Sequence, residues 1–256
     1  MTWTLLAALL AALPVPAPPP SPPFPPPAVT RSCCALGPTP VPARDGASTG
    51  GVSAAPDSIT VARLQYDGGG DWYANPSSLP NLLEAVRVRT GIPVASRAET
   101  VTPLDPALAD HPYVYMTGHG NVRFSPAERA ALRGYLLSGG FLHADDNYGL
   151  DESFRREIAA VFPDAELTEI PADHPVFHAF YDLAEGLPKV HEHDGAAPRA
   201  LGIFRGGRLL VFYSFESDLG DGWEDPDVHG DPPPVREDAL RMGVNLFVYA
   251  LGQAAP

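Results

Sequence analysis

Cysteine is almost missing from this chain: two residues in 256, Cys33 and Cys34, side by side near the amino end. Adjacent cysteines bridge each other only with strain, and neither falls in the part that reads as folded. A thiol nucleophile, a redox pair and a cysteine-based zinc site are thereby excluded from the folded part. Positive charge is scarce as well. Lys and Arg number 17 against 31 Asp and Glu, a formal charge of -14, which argues against nucleic acid or an anionic membrane surface as partner. The apolar run Leu5 to Leu13 is long enough for a signal-peptide core but too short to span a bilayer, so no transmembrane span is expected.

Proline is what the amino end has in quantity. Pro14 to Pro42 carries 13 of the chain's 31 prolines, a composition that makes an extended spacer and forms neither helix nor central strand. A Gly/Ala/Ser linker follows, from Gly46 to Pro56. Residues 1–56 are read as a signal-like segment and Pro-rich leader, and 57–256 as a single α/β domain of ordinary apolar content. Export to the periplasm or cell envelope is expected, although the usual Lys or Arg ahead of the apolar core is missing. An unprocessed leader and a lipid anchor at Cys33 are the alternatives.

From Asp57 onward strand and helix signals alternate, as in a mostly parallel sheet covered by helices on both faces. Strands are expected at Ile59 to Tyr66, between Val94 and Thr102, at Tyr113 to Thr117 and at Phe141 to Ala144. Leu201 to Phe204 and Leu209 to Phe215 read as a hairpin turning at Gly206-Gly207. Leu79, Leu82, Leu83 and Val86 share a helical face that Gly91 closes. Ser125-Pro126-Ala127-Glu128 is a capping box with Pro at the first helical position. Asp151 is expected to cap a helix burying Phe154, Ile158 and Val161. A last helix after Pro234 would bury Leu240, Val244, Phe247 and Leu251.

The chemistry gathers where strands end, the edge at which open α/β sheets bind ligands. Asp67-Gly68-Gly69-Gly70-Asp71-Trp72-Tyr73 follows the first strand, and three glycines in a row describe a bared loop. Gly118-His119-Gly120 follows another strand, and Asp145-Asp146-Asn147-Tyr148-Gly149 a third. His119 and one of Asp145 or Asp146 are the candidates for an acid–base or ligand pair. Neighbours on a strand face opposite ways, so either one aspartate is the site carboxylate and the other caps the following helix, or both sit in the loop. Asp67 to Tyr73, Asn147 and Tyr148 are the candidate ligand contacts.

Two further patterns stand out. His191-Glu192-His193-Asp194 places two imidazoles on one face of an extended segment, a workable spacing for a divalent metal held by His191, His193 and Asp194. Hydrogen-bonded loop histidines are the alternative. Between Glu216 and Asp231 lie seven carboxylates without a Lys or Arg, which reads first as a solvated loop. Trp223 among them suits a sugar ring or a cation. His111, His143, His174, His178 and His229 read as structural or surface residues.

The runs Arg63-Leu64-Gln65-Tyr66-Asp67-Gly68-Gly69-Gly70-Asp71-Trp72 and Gly139-Gly140-Phe141-Leu142-His143-Ala144-Asp145-Asp146-Asn147-Tyr148 resemble DUF4159, a bacterial family of unknown function, over Ile59 to Gly252. The resemblance implies a three-layer, flavodoxin-like fold of the class I glutamine amidotransferase type. More loosely, Gly139 to Asp145, Asp173-His174-Pro175 and Arg208 to Ser214 look like the trehalose-utilisation (ThuA-like) branch. Where amidotransferases carry their cysteine at a strand-to-helix elbow, this chain has Ala144-Asp145-Asp146. Two readings follow. One is a metal- or carboxylate-dependent hydrolase acting on a carbohydrate-like small molecule. The other is a non-catalytic binding or scaffold module of the cell envelope.

Overall fold

In a computed structural model of the chain, residues 58–191 and 195–254 are described. The signal-like segment, the Pro-rich leader and both cysteines lie outside those residues. Seven strands form one sheet: β1 (Val61–Leu64), β2 (Glu99–Val101), β3 (Tyr113–Met116), β4 (Phe141–Asp145), β5 (Thr168–Glu169), β6 (Arg199–Arg205) and β7 (Arg208–Phe215), in the order β2-β1-β3-β4-β7-β6-β5. The pairs β1–β2, β1–β3, β3–β4 and β4–β7 are parallel, and β6 runs antiparallel to both its neighbours. The strands ending near Thr117 and Ala144, β3 and β4, are thus neighbours, as a pairing of His119 with Asp145 or Asp146 would require.

Strand alternation divides the core between two faces. Val61, Tyr113, Tyr115, Phe141 and Phe212 pack with helices α1 (Ser78–Thr90) and α5 (Pro233–Ala254). Ala62, Val114, Leu142, Ala144 and Tyr213 pack with α2 (Pro126–Leu137) and α3 (Asp151–Val161) on the other side. The result is three layers, α/β/α. A short helix, α4 (Leu219–Trp223), sits beside α1 and α5. No helix among the described residues is long and apolar enough to cross a membrane.

Local signals account for most boundaries. Ser125 accepts from the Glu128 amide and Glu128 reaches back to the Ser125 amide, so the capping box forms as read. Gly91 ends α1 at φ 74°, and Gly206-Gly207 turns the β6–β7 hairpin at φ 55° and 81°. Two expectations are corrected. Asp151 does not cap α3: the cap position is Leu150, whose amide is taken by Asp146, while Asp151 accepts from Tyr213 and Arg155. On α5, Leu240 and Leu251 are only partly buried, and Ala239, Met242 and Leu246 sit deeper.

Candidate functional site

Of the five mutually parallel strands, β1, β3, β4 and β7 deliver the site loops from their carboxyl ends to one edge of the sheet. The glycine loop after β1 is zipped to the loop after β3: Arg123 N donates to Asp67 O at 2.7 Å, Gly70 N to Asn121 O at 3.0 Å and Asp71 N to His119 O at 3.2 Å. A Cβ on Gly68 would stand 2.5 Å from the Asn121 carbonyl, and one on Gly70 2.8 Å from the His119 carbonyl. Gly68 and Gly70 thus admit a neighbouring backbone, whereas Gly69 has open space around it. Asp71 finishes the seam by accepting from the His119 amide and holding His119 Nδ1 at 3.1 Å.

The centre of the edge belongs to β4 and β7. Asp145 is wholly buried and accepts four hydrogen bonds, from Ser214 Oγ, Tyr115 Oη, Leu219 N and Gly220 N. Burial, reinforced by Asp221, still raises its carboxyl to about 6. Ser214 also meets His143 Nε2 at 2.9 Å, and Tyr113 meets His143 Nδ1 at 2.8 Å. Serine, histidine and aspartate in contact invite comparison with a hydrolytic triad, but the aspartate binds the serine and not the histidine. The imidazole lies among Tyr115, Phe212 and Trp223, and burial lowers it to about 3. His143 is a neutral core residue that holds Ser214 against Asp145.

In front of Asp145 the acidic loop folds inward. Glu216, Asp218, Asp221 and Glu224 are all buried. The solvated-loop reading is therefore corrected for these four, while Asp225 and Asp227 remain exposed. Glu224 accepts from the amides of Ser77 and Ser78 and so serves the start of α1. Glu216 pairs with Lys189, the only lysine in the chain, at 3.0 Å. Asp218 is pushed up to about 9, by burial first and then by the charges of Asp145 and Asp221.

Asp221 has its two oxygens assigned differently. Oδ1 accepts from Asn75 Nδ2 at 2.5 Å and from Asn147 Nδ2 at 3.4 Å. Oδ2 faces His191 Nδ1 at 2.9 Å and His229 Nε2 at 3.8 Å. The far nitrogen of His191, Nε2, meets Asp231 Oδ1 at 3.0 Å. The hydrogen bond with Asp221 raises His191 to about 9 in spite of its burial, with Asp231 adding to the effect. Burial alone would raise Asp221, yet His191 and His229 hold it below the usual carboxylate value. One ligand atom from each of His191, Asp221 and His229 falls within 4.8 Å of the other two, so this trio is a candidate cation site. Asn147 is buried, and its Oδ1 has no hydrogen-bond partner among the described residues.

The sequence candidates are thus distributed unevenly. His119 pairs with Asp71, so the expected partnership with Asp145 or Asp146 does not form; both lie deeper, and Asp146 Oδ1 accepts from the Leu150 amide at 3.2 Å. Trp223 is no ligand platform. It is fully buried, and its indole donates to Ala239 O at 2.8 Å. Trp72 and the exposed Tyr73 instead border a separate groove of about 690 Å³ with Arg63, Pro76, Leu79 and Arg97. Asn147 is at the centre, whereas Tyr148 is 57 % exposed at its rim. His191 is in the cluster; His193 and Asp194 lie outside the described residues.

Three participants escaped sequence reasoning: Asn75, Asp221 as an individual within the acidic run, and His229. Only backbone conformation singles out their surroundings. Among the described residues the non-glycine positions with positive φ are Asn75, Tyr148, Glu216 and Asp218, each at 57°.

No curated protein matches the chain. A family model described as a domain of unknown function, DUF4159, matches residues 60–251. The chain is a member of the DUF4159 family.

Proposed function

We propose that this chain is an exported hydrolase that works on a neutral, hydroxyl-rich small molecule of carbohydrate type through carboxylate and histidine chemistry. The observation that carries the reading is the burial of Asp145, Asp218 and Asp221 together behind the partly open His191. Gathering like charges away from water costs stability, and the carboxyls of Asp145 and Asp218, displaced toward neutrality, are suited to proton transfer beside the ionised Asp221. A negative chain disfavours an anionic substrate. The separate groove carries Trp72 and Tyr73, their rings edge to face with centroids 5.5 Å apart, and aromatic faces suit sugar rings. Its Arg63 grips the carbonyls of Ala74 and Asn75, the turn from which Asn75 reaches Asp221.

The superfamily relation belongs to the same proposal. Helices on both faces of a mostly parallel sheet support kinship with the glutamine amidotransferase-like and ThuA-like proteins. Asp145 and Asp146 then stand where the thiolate would be, which argues against glutamine hydrolysis by a thiolate. The apolar leader supports export. A second reading, a binding module without turnover, is favoured by the saturation of Asp145 with four donors.

The test is a thermal-shift screen of the full chain against neutral mono- and oligosaccharides, followed by product analysis for each sugar that binds. Turnover that falls at least tenfold in Asp221→Asn supports the hydrolase. Binding without turnover leaves the module, and a panel in which no sugar shifts the melting temperature refutes the substrate class.

A further inference from the structure

The geometry points to a divalent transition-metal site of the zinc class, with His191 Nδ1, Asp221 Oδ2 and His229 Nε2 as ligands and a fourth position open to solvent. The inference deepens the reading above by naming what the cluster holds.

The ligand atoms already converge. Asp221 Oδ2 stands 2.9 Å from His191 Nδ1 and 3.8 Å from His229 Nε2. In a tetrahedral zinc site with bonds near 2.0–2.1 Å, neighbouring ligand atoms stand about 3.3 Å apart. Small side-chain adjustments therefore bring these distances into range. Two imidazoles aimed at one carboxylate oxygen exceed what a simple ion pair requires. The His229 contact is too long for a hydrogen bond, and the two rings meet edge to face with centroids 4.9 Å apart.

The surroundings of each ligand are those that metal sites use. A ligating histidine characteristically gives its second ring nitrogen to a carboxylate, which fixes the tautomer and turns the other nitrogen to the metal. Asp231 does this for His191 at 3.0 Å. The spare oxygen of Asp221 is tied down by Asn75 and Asn147, which leaves Oδ2 as the one presented to the histidines. Neither Asp221 nor Asp231 is hydrogen-bonded to a Lys or Arg among the described residues, so no side-chain cation other than histidine neutralises them.

An independent observation marks a place for a bound group beside the trio. Asn147 is 1 % exposed, its amide nitrogen points at Asp221, and its Oδ1 has no hydrogen-bond partner among the described residues. A buried amide oxygen left without a donor is costly. A water or substrate hydroxyl on the metal would supply that donor. The side chains of His191 and His229 are 25 % and 29 % exposed, so solvent reaches the fourth position. Three protein ligands with one open place is the catalytic zinc pattern rather than the structural one.

The test uses the full chain, stripped with a chelator and titrated with Zn(II) by calorimetry and with Co(II) by visible absorption. One equivalent of each metal is expected, with the intense d–d bands of tetrahedral Co(II). Zn(II) should raise the melting temperature of the wild type. His229→Ala and Asp221→Asn should each weaken binding at least tenfold, and Asp231→Asn by about 10- to 100-fold through the outer shell. His229 is at the surface, so its variant folds even where an Asp221 variant does not; circular dichroism checks both. Absence of binding to the wild type, or binding that His229→Ala leaves unchanged, overturns the site and leaves a histidine–aspartate ion pair. Metal binding is read without any sugar present. A chain that takes zinc but no sugar keeps this inference and loses the substrate class; one that takes a sugar but no zinc does the reverse.

Discussion

Asp146 offers the sharpest energetic test, because its charge is held against the fold. The residue is 3 % exposed, and its carboxyl is raised to about 7, by burial first and then by the charge of Asp151. An unfolded chain releases the same proton near pH 4. Between those values the folded state binds more protons than the unfolded one, so stability falls as pH rises from about 4 to about 7 and is flat above. Three pKa units at about 1.4 kcal/mol each set a full penalty of about 4 kcal/mol at pH 8, of which only about 1 kcal/mol is present at pH 5. Asp146→Asn keeps an oxygen for the Leu150 amide and removes the charge. Urea unfolding should therefore find the variant more stable than the wild type at pH 8, by up to about 4 kcal/mol, with about 3 kcal/mol less advantage at pH 5. Asp145 and Asp218 stay in both proteins, so most of their own pH dependence cancels, and the difference reports Asp146 with its coupling to them. An advantage that does not change with pH, or a loss of stability at pH 8, would refute the reasoning.

Two further substitutions test the frame around the site. Gly118 has φ +139°, and a Cβ there would collide with Tyr66 Oη, whereas Gly69 at φ +92° has open space around it; Gly118→Ala should cost at least about 2 kcal/mol more than Gly69→Ala in matched thermal unfolding. Glu157 is buried and accepts from Arg129, Arg156 and the Phe124 amide, so Glu157→Ala should cost about 1–3 kcal/mol, chiefly by stranding the buried Phe124 amide, since the two arginines keep access to water, and equal melting temperatures would show the network to be idle.

The frame was legible because its signals are local. The capping box at Ser125, the stop at Gly91 and the glycine pair at 206–207 each act within a few residues, and the alternation along Tyr113 to Met116 assigns both faces of a strand at once. The loops at the strand ends do bring polar side chains together, and Asn147 is the sequence candidate that meets Asp221 there. The site's other half depends on contacts between distant parts of the chain. Asn75 meets Asp221 across 146 positions, and nothing near either residue announces the meeting. The acidic run misled for a physical reason. Charge composition favours solvation, but Glu216, Glu224 and Asp221 are satisfied individually by a lysine, by amides and by histidines that composition cannot pair with them, and Asp218 is buried alongside them. Trp223 misled in the opposite direction: an aromatic flanked by acids is here a core residue capping Tyr115 and His143.

The left-handed residues explain why the cluster sits where it does. A non-glycine residue in that region costs on the order of 1 kcal/mol or more, and glutamate and tyrosine gain nothing locally in return. Glu216 and Asp218 adopt it two positions apart, immediately after β7. The chain is thereby turned inward, and Ser217 becomes a clasp: its hydroxyl donates to Pro188 O at 2.6 Å, and its carbonyl accepts from Val190 N at 2.9 Å. Lys189, between those two, pairs with Glu216. The segment 188–190 is thus stitched to the end of β7, and the next residue along, His191, is delivered to Asp221. Asn75, left-handed as well, anchors Asp221 from the opposite side. A surface loop under no constraint would relax such strain with glycine or a different turn. Here the strained positions lie on both segments that converge on one carboxylate, and the hydrogen bonds to its Oδ1 leave Asp221 Oδ2 facing His191 and His229.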